Sequence, residues 1–254
     1  KAQNNISRLL KIMDDLRLNC PWDKKQTLDS LKRLTVEETY ELNDAIENKN
    51  FENIKEELGD LLLHIVFYSK IASEKNHFDF NDVVEKICEK LIERHPHIYG
   101  EVKIRDENDV KHNWEMIKKE KSNKSLLSGV PKTLPPISKA YRVQEKVSSL
   151  GFDWKKSESV IEKIFEEFNE FQSAISSKNK TEIRDEFGDI LFSLINYARH
   201  NNIDPEESLN SSTEKFKKRF NTLEKIVEIN GVKIKDITEK KLNDFWEKSK
   251  KINS

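Results

Sequence analysis

The chain has 254 residues, enough to bury a hydrophobic core, and its two cysteines show neither a paired disulfide framework nor a metal-binding spacing. Its 45 basic and 46 acidic residues nearly cancel, so the net positive charge of a typical nucleic-acid-binding domain is missing. Only six glycines and six prolines interrupt the chain, which is typical of long helices. We therefore expect an all-α protein.

The apolar runs are too short to cross a membrane. The longest of them, from Leu61 to Phe67, falls well below the roughly 20 residues that a membrane-spanning helix needs. The chain opens at Lys1 in a charged amphipathic segment without an apolar signal region, and the absence of an initiator Met leaves open whether N-terminal residues are missing. We expect a cytoplasmic protein with reduced thiols that binds neither membranes nor nucleic acids.

Helical periodicity in the first half predicts five helices. Apolar residues recur at helical spacing from Ile6 to Leu16, and the stretch Cys20-Pro21-Trp22-Asp23 then interrupts the pattern. Pro96 ends the fourth helix because proline disrupts a helix interior. The helices after the first are expected at residues 27–48, 51–75, 80–94 and 110–121.

A break in the periodicity divides the chain. Residues 122–136 contain Ser, Asn, one glycine and three prolines, which predicts a linker between domains at residues 1–121 and 137–254. In the second domain a helix is expected from Ile137 to Leu150, followed by the turn Gly151-Phe152-Asp153-Trp154. Further helices are expected at residues 157–177, 180–201, 205–230 and 237–250.

Short strings recur in the same order in both halves, which indicates an internal duplication. Each half carries an acidic triplet, then an acidic pair sixteen residues after the last glutamate, then a Lys/Arg pair, and finally a tryptophan. The first-half set is Glu37-Glu38-x-x-Glu41, Glu57-x-x-Asp60, Lys90 with Arg94, and Trp114; the second-half set is Glu166-Glu167-x-x-Glu170, Glu186-x-x-Asp189, Lys215 with Arg219, and Trp246. The fold expected is a tandem repeat of two helical bundle domains.

The spacing of the acidic residues predicts a metal site in each half. Residues three or four apart share one face of a helix, so Glu38 and Glu41 point together, as do Glu57 and Asp60. Two antiparallel helices would then present four carboxylates, which need a hard cation or protonation. Mg²⁺ prefers oxygen ligands and retains water, with Mn²⁺ as an alternative ion.

Ordinary surface glutamates are the competing explanation for any one such string. The repetition at one spacing, beside apolar residues such as Leu61 and Ile190, favours the metal site. Gly59 and Gly188 lie inside the second acidic pairs, where glycine costs a helix about 1 kcal/mol relative to alanine, so a close helix approach is expected there.

Basic and aromatic residues at matched positions are candidates for nucleotide binding. Each Lys/Arg pair is spaced i,i+4 and could neutralise phosphate oxygens, with ordinary surface charge as the alternative. Lys163, one turn before Glu166, is a further phosphate candidate found only in the second half. Trp114 and Trp246 could stack on a base or pack in the core. No glycine-rich phosphate loop is present, so side chains and metal must hold the phosphates.

Four strings together resemble the MazG family over nearly the whole chain: Cys-Pro-Trp-Asp-x-x-Gln-Thr from Cys20, Glu-Glu-x-x-Glu, Glu-Leu-Gly-Asp-Leu-Leu from Glu57, and Arg-His-Pro-His from Arg94. The resemblance implies two tandem all-α repeats that associate as homodimers. It also implies Mg²⁺-dependent hydrolysis of NTPs and dNTPs to NMP or dNMP and pyrophosphate, in house-cleaning of the nucleotide pool.

The resemblance also implies roles for particular residues. Metal ligands fall on Glu167, Glu170, Glu186 and Asp189, and in the first half on Glu38, Glu41, Glu57 and Asp60. Nucleotide contacts fall on Lys163, Lys215, Arg219 and Trp246, with Lys90, Arg94 and Trp114 as first-half counterparts. Thr213 and Cys88 stand where members often carry Asn, so this chain departs from the family pattern at candidate contacts to the sugar or base.

The mechanistic hypothesis concerns the second half, which alone carries Lys163. A water activated by metal and by Glu166 or Glu167 attacks the phosphate chain in line, and metal and lysine neutralise the leaving pyrophosphate. Two alternatives stay open: a non-catalytic helical module that binds nucleotides or a partner, and a narrower dUTPase-like or dCTPase-like enzyme.

Overall fold

The computed structural model describes residues 2–106, 109–110, 113–114, 116–117 and 125–253, and these residues form helices and no strand. The predicted all-α class is therefore confirmed. The chain divides into two compact units, Lys1–Ile104 and Arg105–Ser254. The predicted linker, residues 122–136, starts outside the described residues and then includes a 3₁₀ helix, Leu126–Gly129. The expected domain limits at residues 121 and 137 stay predictions.

Polar capping residues begin the main helices of the first unit. Thr27, Asn50 and Asp79 each accept a hydrogen bond from a backbone N–H group in the first turn of the helix that follows. These groups have no partner inside a helix, so the caps define where each helix starts. The helices are α1 (Ala2–Asn19), α2 (Leu28–Glu47), α3 (Phe51–Ser73), α4 (Phe80–Arg94) and the short α5 (Pro96–Tyr99).

The core of the first unit joins α1, α2 and α3. Met13, Leu31 and Val66 are almost completely buried and form one apolar cluster with Phe67 and Ile71. Helices α2 and α3 make the most extensive contact in this unit, and residues 48–50 connect them in a tight turn. The two helices that carry the predicted acids therefore form a helical hairpin.

The second unit also contains an acidic helical hairpin. Lys178 adopts a left-handed conformation with φ of 57°, which ends one helix and turns the chain into the next. The helices of this unit are α6 (Pro136–Ser148), α7 (Ser157–Ser177), α8 (Lys180–His200), α9 (Pro205–Ile229) and α10 (Glu239–Ile252). The second acidic hairpin is α7 with α8, the pair joined at Lys178.

Apolar residues of α9 and α10 form a separate core cluster in the second unit. Leu223, Val227 and Phe245 are buried there, and Trp246 packs against them from the side. Most predicted helix ends agree with the observed ends within two residues, and α10 starts and ends two residues later than expected. The predicted helix at residues 110–121 lies mostly outside the described residues.

None of the helices in the described part of the chain combines the length and the apolar character that a membrane span requires.

Candidate metal and nucleotide site

Buried residues two helical turns on either side of one glutamate fix the orientation of each acidic helix. In α2, Leu31 lies seven residues before Glu38 and Ala45 lies seven residues after it, and both apolar residues are buried. Since seven residues make nearly two turns, the three side chains share the face that packs against α3. The corresponding residues of α7 are Val160, Glu167 and Ala174, all buried.

Two carboxylate clusters result, one in each hairpin. In the first, oxygen atoms of Glu38, Glu41 and Glu57 lie within 4.8 Å of one another. The second cluster has the same 4.8 Å limit and comprises Glu167, Glu186 and Asp189. Each therefore draws side chains from both helices of its hairpin, as the spacing predicts.

One predicted ligand in each half falls outside the set of three. In the first half this residue is Asp60, and in the second it is Glu170. Both remain close enough to act electrostatically, because the charge of Asp60 acts on Glu38 and that of Glu170 acts on Glu186. The structure thus brings together six of the eight predicted ligands and leaves one in each half at the margin.

Burial and mutual repulsion make these clusters electrostatically unfavourable. Burial, followed by the negative charges of Glu41, Asp60 and Glu57, raises the pKa of Glu38. Burial and neighbouring carboxylates also raise the pKa of Glu57 and of Glu186. Groups in this situation are stabilised by a cation or by protonation.

The donor sets fit a hard divalent ion. Ligand oxygens about 2.1 Å from Mg²⁺ lie no more than about 4.2 Å apart, so small side-chain movements would close either cluster on one ion. Three carboxylates supply charge and leave other coordination positions for water and phosphate oxygens. The residues that would hold the ion are Glu38, Glu41 and Glu57 in one hairpin and Glu167, Glu186 and Asp189 in the other.

The second cluster contains a lysine that the first lacks. Lys163 Nζ lies 2.8 Å from Glu166 Oε1 and 2.7 Å from Glu167 Oε1. Hydrogen bonds to Glu166 and Glu167 raise the pKa of Lys163, so its ammonium stays charged at neutral pH. At the corresponding position of α2 stands Leu34, which packs against the apolar core of the first unit.

An arginine ties the turn before each acidic helix to the far end of its partner helix. In the first unit, Arg17 donates to the backbone oxygen of Asp23 and pairs with Glu74 just after α3. In the second, Arg199 in the last turn of α8 pairs with Asp153 at 2.6 Å. Sequence reasoning missed both arginines, although the repeated Asp23 and Asp153 turns were a signal that these turns are anchored.

The nucleotide candidates of the second unit lie on α9 and α10. Trp246 packs on Phe216 with ring centroids 5.2 Å apart, so it serves the core and also lines a groove of about 680 Å³. Lys215 is exposed, and the Nε atom of Arg219 is buried without a hydrogen-bond partner among the described residues. Among the described residues, neither Lys215 nor Arg219 forms an ion pair with an acid of the carboxylate cluster.

Their first-unit counterparts are less well defined. Lys90 is exposed on α4. Arg94 is half-buried at the end of that helix, where its side chain interacts with a neighbouring group. Trp114 is helical and partly buried, but most of its neighbours along the chain lie outside the described residues.

The prediction of a close helix approach at Gly59 and Gly188 is wrong. Within the described residues, a Cβ atom added at either glycine would meet no atom within 4 Å.

Comparison with known proteins agrees with this doubled site. A family model described as the MazG nucleotide pyrophosphohydrolase domain matches residues 26–99 and again residues 155–223. The chain belongs to the MazG family. Each matched segment contains one carboxylate cluster, which confirms the tandem repeat, and membership makes the protein a hydrolase of acid anhydrides.

Relatives share the MazG sequence over nearly the full chain. The chain is 43% identical to the nucleoside triphosphate pyrophosphohydrolase/pyrophosphatase MazG of Thermotoga maritima, an alignment covering 96% of this chain and 95% of that protein. It is 37% identical to the nucleoside triphosphate pyrophosphohydrolase of Escherichia coli K12, with 98% of both chains covered. A solved mazG-related protein from Thermotoga maritima aligns with 44% of this chain and 98% of its own, at 27% identity and a TM-score of 0.40.

Proposed function

We propose that the protein is a Mg²⁺-dependent nucleoside triphosphate pyrophosphohydrolase, with Mn²⁺ as an alternative ion. It converts NTPs and dNTPs to NMP or dNMP and pyrophosphate and so cleans the nucleotide pool. The observation that carries the proposal is the pair of carboxylate clusters, each built from two helices of one MazG domain. The triphosphate substrate is supported by the names of the Thermotoga maritima and Escherichia coli relatives.

In the proposed reaction, the carboxylates of the second hairpin would hold a divalent ion, and Lys163 is the cation beside them that can contact phosphate oxygens. A divalent ion, when bound, supplies a Lewis acid for the phosphate oxygens and lowers the pKa of a bound water. Glu167, Glu186 and Asp189 would hold the ion, and Lys163 offers its ammonium to the charge on the departing pyrophosphate. Glu166 is exposed beside Glu167, where its carboxylate can accept the proton of the attacking water.

Triphosphate binding is assigned to the basic residues of α9 and the indole of α10. The unpaired Nε of Arg219 is an available donor for a phosphate oxygen, and Lys215 adds a second positive charge. Trp246 borders the adjoining groove, whose apolar wall suits a base or a ribose. Lys90, Arg94 and Trp114 are the corresponding residues of the first repeat.

A homodimer forms part of the proposal because apolar side chains of the first unit face solvent. No residue of α4 is buried, although Val84, Ile87 and Leu91 recur on one face of it. Val84 and Ile87 line a groove of about 800 Å³ together with Leu62 and Ile65 of α3. A second copy would cover this surface, and light scattering would report twice the mass of one chain. The cytoplasmic location expected from the sequence stays a prediction.

The test is release of pyrophosphate from a panel of NTPs and dNTPs, with Mg²⁺ and with EDTA. We expect metal-dependent formation of NMP and pyrophosphate, lost in Glu186→Gln but kept in Glu182→Gln, which changes an exposed acid one turn away. Products of NDP and phosphate would overturn the reaction. Nucleotide binding without turnover would favour a binding module instead, and turnover of one pyrimidine dNTP alone would favour the narrower enzyme.

The same assay distinguishes the two repeats. Glu57→Gln removes from the first cluster the ligand that Glu186→Gln removes from the second. If only the second change abolishes turnover, the second repeat is the active one, as the presence of Lys163 suggests. If only Glu57→Gln does so, the assignment to the second repeat is wrong.

A further inference from the structure

The two carboxylate clusters differ in their internal counter-charge. Lys163 and Glu167 form a partly buried ion pair, with side-chain exposures of 32% and 9%, and Glu167 also belongs to the cluster of three acids. Glu166 holds the same ammonium from one residue earlier in the helix. Lys163 is therefore fixed directly beside a proposed metal ligand.

The described part of the first repeat offers its cluster no equivalent cation. Leu34 takes the place of Lys163 and contacts the core around Met13 and Leu31. Among the described residues, no lysine or arginine forms an ion pair with Glu38, Glu41 or Glu57; the nearest such pair along α2 joins Arg33 to Glu37 at 3.8 Å. In the described part of the first repeat, the three carboxylates of the cluster are thus without a paired lysine or arginine. In the second repeat, Lys163 neutralises one of the three, Glu167.

We propose that Lys163 is a tethered counter-ion that couples metal binding at the second site to nucleotide binding. This inference rests on the proposed function. Without nucleotide, the ammonium occupies Glu167 and weakens metal binding; with nucleotide, it transfers to phosphate oxygens and leaves Glu167 for the metal. The first site, with Leu34, binds metal without this dependence on nucleotide.

Electrostatics and reach support the coupling. A metal ion on Glu167 would lie within about 5 Å of Nζ if Lys163 stayed in place, so two positive charges would compete for one carboxylate. A triphosphate offers the ammonium several charged oxygens in exchange, and the flexible lysine stem can turn toward them. Because binding free energies are reciprocal, nucleotide must then strengthen metal binding by the same factor by which metal strengthens nucleotide binding.

The experiment measures Mn²⁺ affinity by the loss of the free-ion EPR signal, in the 254-residue chain whose first site is removed by Glu38→Gln and Glu57→Gln. In that background, Lys163→Met should raise affinity without nucleotide about tenfold, the scale expected for one partly screened charge. Adding a non-hydrolysable triphosphate analogue should strengthen Mn²⁺ binding more in the protein that retains Lys163 than in the Lys163→Met variant. The control is Lys217→Met, which removes an exposed lysine that pairs with Glu214 at 2.6 Å.

The reciprocal change tests the first site. Leu34→Lys, with Glu186→Gln and Asp189→Asn removing the second site, should lower nucleotide-free Mn²⁺ affinity about tenfold. Equal or weaker Mn²⁺ binding by Lys163→Met than by its parent overturns the proposal, even if Leu34→Lys fails to fold. If the unsubstituted protein releases pyrophosphate in a metal-dependent reaction but Lys163→Met leaves Mn²⁺ affinity unchanged, only the role of Lys163 is overturned. If the unsubstituted protein releases no pyrophosphate, the proposed function is overturned.

Discussion

The link between Asp153 and Arg199 holds the second acidic hairpin together, and Asp153→Asn tests it. Arg199 is 11% exposed and its Nη2 atom lies 2.6 Å from Asp153 Oδ1. The same guanidinium donates to Asn196 Oδ1, and His200 Nε2 lies 3.3 Å from the carboxylate. The substitution keeps the shape of the side chain but leaves a nearly buried cation without its anion.

The expected loss follows from that burial. Removing one partner of a fully buried ion pair costs about 3–5 kcal/mol, and an exposed pair contributes about 0–1 kcal/mol. Asp153 is 21% exposed, and Asn196 still serves the arginine, so the cost lies between these limits. We expect Asp153→Asn to lower the free energy of unfolding of the second unit by about 2 kcal/mol at pH 7.

The pH dependence gives an independent check. Burial opposes ionisation of Asp153, but hydrogen bonds from Arg199 and Ser148 outweigh it and lower the pKa of the carboxyl. A depressed pKa in the folded state means that the stabilisation is complete above the ordinary value of about 3.8 and is lost as the pH falls through the folded value. The difference between wild type and Asp153→Asn should therefore shrink below about pH 4.

Urea unfolding followed by circular dichroism and tryptophan fluorescence measures both effects. The matched control is Asp15→Asn, which removes an exposed pair with Lys11 and should cost no more than about 0.5 kcal/mol. A loss below that of the control at pH 7 would refute the anchoring argument. A difference that stays constant down to about pH 3 would refute its electrostatic basis.

Three further predictions concern the core, the carboxylates and the phosphate contact. Calorimetry should show that Leu31→Ala costs about 3 kcal/mol and Val160→Ala about 2 kcal/mol, since both side chains are completely buried. Because the pKa of Glu186 is raised, metal-free stability should fall as the pH rises from about 4.5, and Glu186→Gln should flatten that slope in urea titrations. Arg219→Met should raise the KM for triphosphate about tenfold in steady-state assays; an unchanged KM contradicts the assigned contact.

Local signals explain why the helices could be predicted from the sequence. Apolar periodicity and Pro96 act within a few residues, so they set the helix limits directly. The carboxylate clusters were also predictable, since i,i+3 spacing and a repeated offset place the acids on facing surfaces.

Long-range contacts were not predictable in the same way. Arg17 meets Glu74 57 residues away, and Arg199 meets Asp153 46 residues away, and neither pairing leaves a periodic pattern in the sequence. Gly59 misled for a related reason: a helical glycine indicates only that a side chain is absent, and here open space rather than a packed helix lies beside it. Which carboxylates converge within each set of four likewise depends on side-chain rotamers.

Divergence between the repeats needs only one position because the buried residues maintain the geometry. Leu31 and Val160 occupy the same place in their helices, and each keeps its glutamate two turns away on the inner face. Lys163 and Leu34 lie one turn before those glutamates, so a change at this position alters the charge beside the carboxylate cluster. A duplicated hairpin can therefore retain both carboxylate clusters while giving them different affinities for a cation, which is the difference that reciprocal substitution at these two positions would reverse.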